Sequence, residues 1–429
     1  MHHSFFENPD LQSPQAQFAL NIVLRLREAG FQALWAGGCV RDGLLGKIPK
    51  DFDVASDARP EQVIELFGRR RTVAVGASFG VVMVLGPNRE AGQVEVATFR
   101  SDGQYLDGRR PQSVRFCSAE EDAQRRDFTI NGMFYDPVDR CVLDYVDGRR
   151  DLADGIVRAI GDAGDRFTED KLRMLRAVRF AATFGFDLAD STKGAVTSLS
   201  HQITQVSFER ITQELKRMLS HQKRALAFRL LFETKLLGVL FPWFDAFSTD
   251  VAQLILSHLH DSSFESSLAA MFRTGLLNKY GRSQRIDAVK EECKRFKLSN
   301  AETDTILWLI ESMELMDRVS SLPLHQLKPL LASNNCELLL SLSEATSLAS
   351  GQTPSSSRFC RQYLGAVDRS LLDPPVLITG ADLHAMSVPS GPRFREILGC
   401  VRNLQLDEQI TSREDALREA RRLAAELSR

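Results

Sequence analysis

Near residue 150 the sequence changes its periodicity, and that change constrains the possible folds more than any other feature. Up to about Tyr145, short β-branched runs alternate with helical patterns, and Gly and Pro punctuate the changes. VAVGASFGVVMVLG, QVEVATF and CVLDYV read as strands, and PEQVIELFGRR as a short amphipathic helix with Pro in its first turn. After roughly Asp151 the strand signals fade, and 3.6-residue periods run through KLRMLRAVRFAATFGF, FERITQELKRMLS and KRALAFRLLFETKLLGVLF. A mixed-sheet α/β domain followed by an all-helical remainder, α+β in class, is the expected architecture. GQTPSSSRF at 351–359 has the small polar composition of an exposed connection, and SREDALREARRLAAELSR opens with a Ser cap and continues as a charged amphipathic helix. No internal repeat of fixed period interrupts this plan.

Composition removes several classes of function. Hydrophobic residues make up 43% of the 429, enough for cores in a chain whose length predicts two to four modules. No apolar run approaches the roughly 20 residues needed to cross a bilayer. The opening MHHSFFENPD lacks the basic-then-apolar order of a secretory signal, so a cytoplasmic protein with no membrane partner is expected. Seven cysteines, odd in number and without a CxxC pair, argue against a disulfide framework and a zinc site; reduced, mostly packed thiols are expected. With 54 Lys+Arg against 56 Asp+Glu the net charge is -2, so a polyanionic partner would need a local concentration of basic residues.

The most informative segment is AGGCVRDGLLGKIPKDFDVASDARP. Gly37 and Gly38 lie where a strand should end, and VRDGLLG then starts a helix. Such a turn lets backbone N–H groups approach a triphosphate, with Arg41 one turn in to neutralise it. Asp51 and Asp53 stand two apart in KDFDVA, which reads as a strand. Their carboxylates then share a face while Phe52 enters the core. Two such charges close together are costly unless a cation lies between them, and hard oxygen ligands that also share a nucleotide's phosphates suit Mg²⁺. Glu95 alternates with Val94 and Val96 on QVEVATFR, so on a neighbouring strand it would either join this acidic face and act on an attacking hydroxyl or pair with a nearby Arg.

GGCVRDGLLGKIPKDFD, EVATFR, AQRRDFTINGMFYD and EDKLRMLRAVRFAATFGF stand in one order and spacing. In this the chain resembles the class II tRNA nucleotidyltransferase and bacterial poly(A) polymerase family, from about Ala33 to Phe186. The resemblance is weaker through ITQVSFERITQELKRML and into LITGADLHAMSV and GPRFREILGCVRNLQLDEQITSREDAL, which is similar to the tail of the tRNA-type enzymes. It implies a polymerase-β-like catalytic head (1–150), a helical neck for base recognition (151–220), a helical body (221–330) and a helical tRNA-binding tail (331–429). Asp51 and Asp53 match the metal carboxylates, and Gly38 and Arg41 match triphosphate-contacting positions. Arg126, Asp127 and Asn131 match a motif associated with the ribose, and Asp170 and Arg173 match the pair that reads the incoming base. The implied partners are the 3′ end of tRNA, ATP and CTP, with Mg²⁺ as cofactor.

Base reading also has a physical rationale. Residues three apart share a helix face, so Asp170 would offer acceptors and Arg173 donors side by side to a Watson–Crick edge. Arg176 and Arg179 continue that face and, with Arg166 and Lys171, make a basic stripe for phosphates, unless Glu169 and Asp170 merely pair with a solvated helix. RSDGQYLDGRRPQSVRF reads as a mobile loop; in the family a loop here is associated with adding the terminal A. His258, His260 and Asp261 in LSHLHDSS have no second cluster and are expected at a helix end or in a loop. RRR at 69–71 fits a solvated helix terminus, and Met174, Phe180 and Phe184 have core spacing. Three rivals remain: a poly(A) polymerase that shares the head motifs, an RNA-binding protein without catalysis, and a small-molecule nucleotidyltransferase, which the long helical remainder disfavours. Full CCA addition and addition of the final A alone are both compatible with these motifs.

Overall fold

The computed structural model describes residues 13–76, 80–102, 114–276, 279–280, 284–388 and 391–426. The chain divides into two compact units, Met1–Pro242 and Trp243–Arg429.

The first unit begins with α1 (Pro14–Glu28), capped by the Ser13 hydroxyl, which accepts from the Ala16 N–H. There follow β1 (Ala33–Ala36), α2 (Gly38–Leu44), β2 (Asp53–Ser56), α3 (Pro60–Phe67), β3 (Thr72–Gly76), β4 (Val81–Leu85) and β5 (Gln93–Thr98). A two-stranded ribbon, β6 (Arg100–Asp102) and β7 (Val114–Phe116), leads to α4 (Ala119–Gln124), β8 (Phe134–Asp136) and β9 (Cys141–Leu143). The main sheet runs β3-β4-β5-β2-β1-β8-β9. Only the β2–β5 pair is parallel, so the sheet is mixed, as the alternating runs predict. VAVGASFGVVMVLG supplies two antiparallel strands of it.

Strand alternation sets what each face carries. Leu34, Ala36, Ala55, Phe99, Ala119, Ala123 and Phe134 form one cluster, with Leu143, Tyr145 and Val146 against it. Trp35, which points the other way, meets the Phe52 ring edge-on at 4.8 Å and Tyr135 at 5.8 Å. Asp53 lies two residues before Ala55, on the face of β2 that continues into the cluster, and its registered partners are Ala36 and Glu95.

Helices then take over: α5 (Gly148–Asp154), α6 (Ala163–Glu169), α7 (Leu172–Phe184), α8 (Asp190–Leu199), α9 (Phe208–Leu219), α10 (Arg224–Glu233) and α11 (Leu236–Leu240). The fading of strand signals has one exception, a short parallel pair of β10 (Ile156–Val157) and β11 (Asp187–Leu188) flanking α6 and α7. KRALAFRLLFETKLLGVLF is not one helix: it breaks into α10 and α11 at Lys235, which takes a left-handed φ of 62°. α7 buries Leu172, Met174, Leu175, Val178 and Phe180, each worth about 1.5–3 kcal/mol by apolar burial. It ends at Gly185, whose φ of 75° suits a residue without a Cβ.

The second unit is helical throughout its described residues, from Ala246–His258 to Arg413–Glu426. His258 ends its helix and His260 and Asp261 follow it, as expected. The stretch 351–359 is a connection only at its start. Ser355–Ala366 is a helix, because Ser357 and Cys360 are buried on one of its faces. Ser412 caps the last helix by accepting from the Asp415 N–H. The seven cysteines are free, with Cys39, Cys293, Cys336 and Cys360 buried and Cys141 and Cys400 exposed. Among the described residues no helix is long and apolar enough to cross a membrane.

Candidate active site

The glycine turn sits where β1 ends. Gly37 takes a left-handed φ of 71°, and a Cβ there would lie 3.2 Å from Arg126 Nη1. The turn therefore needs glycine for its backbone and for the close approach of that arginine. α2 starts immediately afterwards and turns Arg41 inward, where its guanidinium lies over the rings of Phe184 (4.6 Å) and Phe180 (5.3 Å).

A cleft of about 570 Å³ opens beside this turn. It is lined by Gly37, Gly38, Arg41, Arg126, Asp127, Asn131, Asp170, Arg173, Arg176 and Arg179. These are the ten positions that the sequence points to for nucleotide contact. Arg125, Leu172, Phe180 and Arg210 also line it and were not singled out for it. Arg125 stands inside the quoted RRD run, and Arg210 inside FERITQELKRML, so both had a signal. Phe180 is buried, as its core spacing predicts, yet it also lines the cleft, and the Arg179 guanidinium lies over its ring at 4.0 Å. Seven of the lining residues are arginines (41, 125, 126, 173, 176, 179 and 210) and two are aspartates (127 and 170). A chain with almost no net charge thus builds a locally cationic concavity.

The arginines are held in place by carboxylates behind or beside them. Arg41 Nη1 donates to Asn131 Oδ1 (2.6 Å), Asn131 Nδ2 donates to Asp127 Oδ1 (3.1 Å), and Arg176 Nε donates to Asp127 Oδ2 (2.8 Å). This relay ties the glycine-turn helix to α7. Burial opposes the Asp127 charge, but the Arg176 guanidinium and the Asn131 amide outweigh it and hold the carboxyl down at about 2. Arg179 pairs with the buried Glu214 of α9, and Arg173 Nη1 donates to Glu169 Oε2 at 2.6 Å. The basic stripe of α7 is therefore neither a solvated face nor a row of bare charges. Each arginine keeps a protein partner and still lines the cleft.

One expectation needs correction. Asp170 and Arg173 do not share a helix face, because Asp170 is extended (φ -141°, ψ 102°) at the break between α6 and α7. Its Oδ1 accepts from the Leu172 N–H (3.1 Å) and so satisfies a first-turn donor of α7, which a helical Asp170 would not reach. Its Oδ2 accepts from Arg210 Nη2 (2.8 Å). Both side chains still line the cleft, each engaged by its own partner.

The acidic residues lie next to this cleft rather than in its lining. β2 begins at Asp53, so Asp51 precedes the strand: β1 stops pairing at Ala36 opposite Asp53, and Gly37 then turns away. Burial still alternates as expected, with Asp51 and Asp53 exposed around Phe52, which is 2% exposed. Glu95 is exposed and in register with Asp53 on the parallel strand β5. The surrounding head atoms and the charges of Glu95 and Asp51 push the Asp53 carboxyl up to about 6, although part of its surface stays open to solvent, and Arg126 works against the rise. Among the described residues no group of three or more His, Cys, Asp and Glu side chains is gathered to hold a metal by itself. Two carboxylate arms of hard oxygen do suit Mg²⁺ when substrate phosphates complete its coordination, and a cation there would relieve the crowding at Asp53. RRR at 69–71 lies in an exposed turn past α3 and is not among the residues lining the cleft. Most of the arginine-rich loop RSDGQYLDGRRPQSVRF lies outside the described residues.

Residues 33–158 match the family described as the poly A polymerase head domain, and residues 185–248 match that described as the probable RNA and SrmB-binding site of polymerase A. The CCA-adding enzyme of Streptococcus thermophilus is 37% identical over 298 residues, 69% of this chain and 70% of that enzyme. Poly(A) polymerase I of Escherichia coli is 41% identical over 244 residues, 54% of this chain and 51% of that protein. The crystal structure of the Bacillus stearothermophilus CCA-adding enzyme in complex with CTP matches with a TM-score of 0.77 at 26% identity, over 98% of this chain and 99% of that one. In sequence, the chain spans about half the length of the first curated relatives it matches.

Proposed function

Because the chain belongs to the class II tRNA nucleotidyltransferase and bacterial poly(A) polymerase family, we propose that it adds nucleotides to the 3′ end of RNA without a template. The RNA is tRNA, the nucleotides come from CTP and ATP, and the product is CCA or its terminal A. The carrying observation is that ten separately chosen positions line one arginine-rich cleft beside the Asp51/Asp53 pair.

In this reading residues 1–150 form the catalytic head, 151–220 the neck, 221–330 the body and 331–429 the tRNA-binding tail, in a cytoplasmic enzyme. Asp51 and Asp53 hold Mg²⁺ together with the triphosphate, and the ion when bound supplies Lewis-acid stabilisation of the reacting phosphate and its leaving group. Gly37, Gly38 and Arg41 receive the triphosphate, with the backbone of the turn free of any Cβ. Arg126, Asp127 and Asn131 take the ribose, and Asp170 and Arg173 meet the base edge, exchanging Arg210 and Glu169 for it. Arg176 and Arg179 lend positive charge to the phosphates. Glu95 orients the 3′-hydroxyl and draws on its proton as the oxygen bonds to the α-phosphate and the bond to the β-phosphate breaks, releasing pyrophosphate.

Asp51→Ala tests this directly. Pyrophosphate release with tRNA, Mg²⁺ and NTP should fall at least about a hundredfold, while thermal unfolding of the metal-free protein stays the same or shifts upward, since one of several crowded carboxylates is gone. Turnover near wild type would remove the metal assignment. The second reading, a poly(A) polymerase, is supported by the 41% identity to the Escherichia coli enzyme, close to the 42% to a CCA-adding enzyme. It shares the reaction and differs in the nucleotide chosen and in where addition stops.

A further inference from the structure

Behind the cleft lies a carboxylate that none of the site residues accounts for. Asp122 sits on α4, whose first turn is held by a capping box between Ser118 and Glu121. Its side chain is 2% exposed. Burying a charge so fully costs far more than it returns unless every lone pair has a partner, and here every direction is filled. Asp122 Oδ1 accepts from the Arg100 N–H (3.1 Å) and from Arg125 Nε (2.9 Å), with Arg125 Nη2 at 2.7 Å. Asp122 Oδ2 accepts from Arg126 Nε (3.1 Å) and Nη2 (3.0 Å). Arg125 Nε also reaches the Arg100 carbonyl at 2.7 Å, so the clamp is tied to the strand that leaves β5.

The consequence lies at the other end of Arg126. With Nε and Nη2 taken by one carboxylate oxygen and the guanidinium lying over the Phe134 ring at 4.8 Å, its plane is fixed and only Nη1 points onward. Nη1 makes a long 3.4 Å bond to the Asn131 carbonyl and sits 3.2 Å from where a Gly37 Cβ would be. A bidentate grip of this kind fixes direction, which a single bond to a lysine or a water would not.

We propose that Asp122 is the positioning residue of the nucleotide site: by gripping Arg125 and Arg126 from behind, it aims Arg126 Nη1 at the Gly37–Gly38 turn, where the sugar and phosphates of an incoming nucleotide lie. This rests on the cleft being the nucleotide site, and it goes beyond that reading by giving a buried residue outside the lining control over affinity. Asp122 touches no substrate and acts through the arginines. The hold on its charge is strong: burial opposes it, yet Arg126 and Arg125 keep the carboxyl below the usual carboxylate range.

The test is a double-mutant cycle read as ATP affinity in the full-length protein, with the fold of every variant followed by thermal unfolding. Asp122→Asn keeps the shape but sets an amide N–H against a guanidinium. It should weaken ATP about tenfold, the scale of one charge-assisted hydrogen bond lost, and raise KM for nucleotide more than it lowers kcat. Arg126→Met should cost a similar factor, and Asp122→Asn placed on Arg126→Met should cost little more, because the arginine it steers is gone. Asp122→Glu should recover part of the affinity. Additive losses, or wild-type ATP affinity in a folded Asp122→Asn protein, would overturn the proposal. Should Asp122→Asn fail to fold, Asp122→Glu carries the cycle instead: its smaller loss of ATP affinity should disappear on the Arg126→Met background, and a loss that adds to that of Arg126→Met, or no loss at all, would overturn the proposal. ATP binding is scored apart from RNA extension, so a wild-type protein that binds ATP but extends no tRNA would refute the polymerase reading while this cycle still decides Asp122.

Discussion

At the scale of single residues, the site works by pairing rather than by exposure. Asp127 is held at about 2 by Arg176 and Asn131 against its own burial. A carboxyl depressed on folding stabilises the native state above its unfolded value near 3.9, and that stabilisation is lost as pH falls from about 4 through about 2. We expect urea unfolding free energies to drop by about 2 kcal/mol across that window from this residue. Asp127→Asn should lose stability at neutral pH, where Arg176 is left facing an amide, and show a flatter acid limb. Parallel acid limbs in the two proteins would contradict the pairing. Gly37 gives a second residue-scale expectation. Gly37→Ala forces a side chain into a left-handed φ at a cost of about 1 kcal/mol and presses on Arg126, so ATP affinity should fall by more than the small loss of stability explains. Isothermal titration beside a melting curve separates the two.

At the scale of elements, the junction of α6 and α7 sets where Asp170 and Arg173, the proposed base-reading pair, stand in the cleft. Sequence periodicity locates α7 correctly but not the break before it, because the signal for the break is Asp170 bonding to the Leu172 N–H, a local competition that periodicity does not register. For the same reason Asp51 reads as strand although its ladder partner has run out at Gly37. The β10–β11 pair escapes detection since two residues are too few to show alternation. What was legible is the set of residues: the glycine pair, the acidic pair and the arginines of α7 all declare themselves by type and spacing. What was not legible is who restrains most of them, since Arg176–Asp127 and Arg179–Glu214 join elements whose packing the sequence does not display, whereas Arg126–Asp122 is a local pair four residues apart. On the proposed reading, Arg173→Ala removes the donors assigned to the base edge and leaves Asp170 in place, so the expected preference of single-nucleotide incorporation for CTP and ATP over UTP and GTP should fall by about tenfold to a hundredfold. Unchanged selectivity would take base reading away from α7.

At the scale of the whole molecule, a net charge of -2 conceals a cleft edged by seven arginines with two aspartates, beside a separate acidic pair at the start of β2. Segregating the charges in this way costs the chain nothing in global balance, yet it gathers cationic side chains in one concavity beside two carboxylates, as the proposed polyphosphate site requires. Both proposed readings, tRNA completion and poly(A) synthesis, fit this layout, and the choice between them shows in the products. The most direct test supplies tRNA lacking its 3′ end, Mg²⁺ and each nucleotide singly and together, and resolves the products on a gel. The account predicts a short addition that stops, at CCA with CTP and ATP or at a single A on tRNA already ending in CC. A long ladder of A, or no incorporation at all, would contradict it.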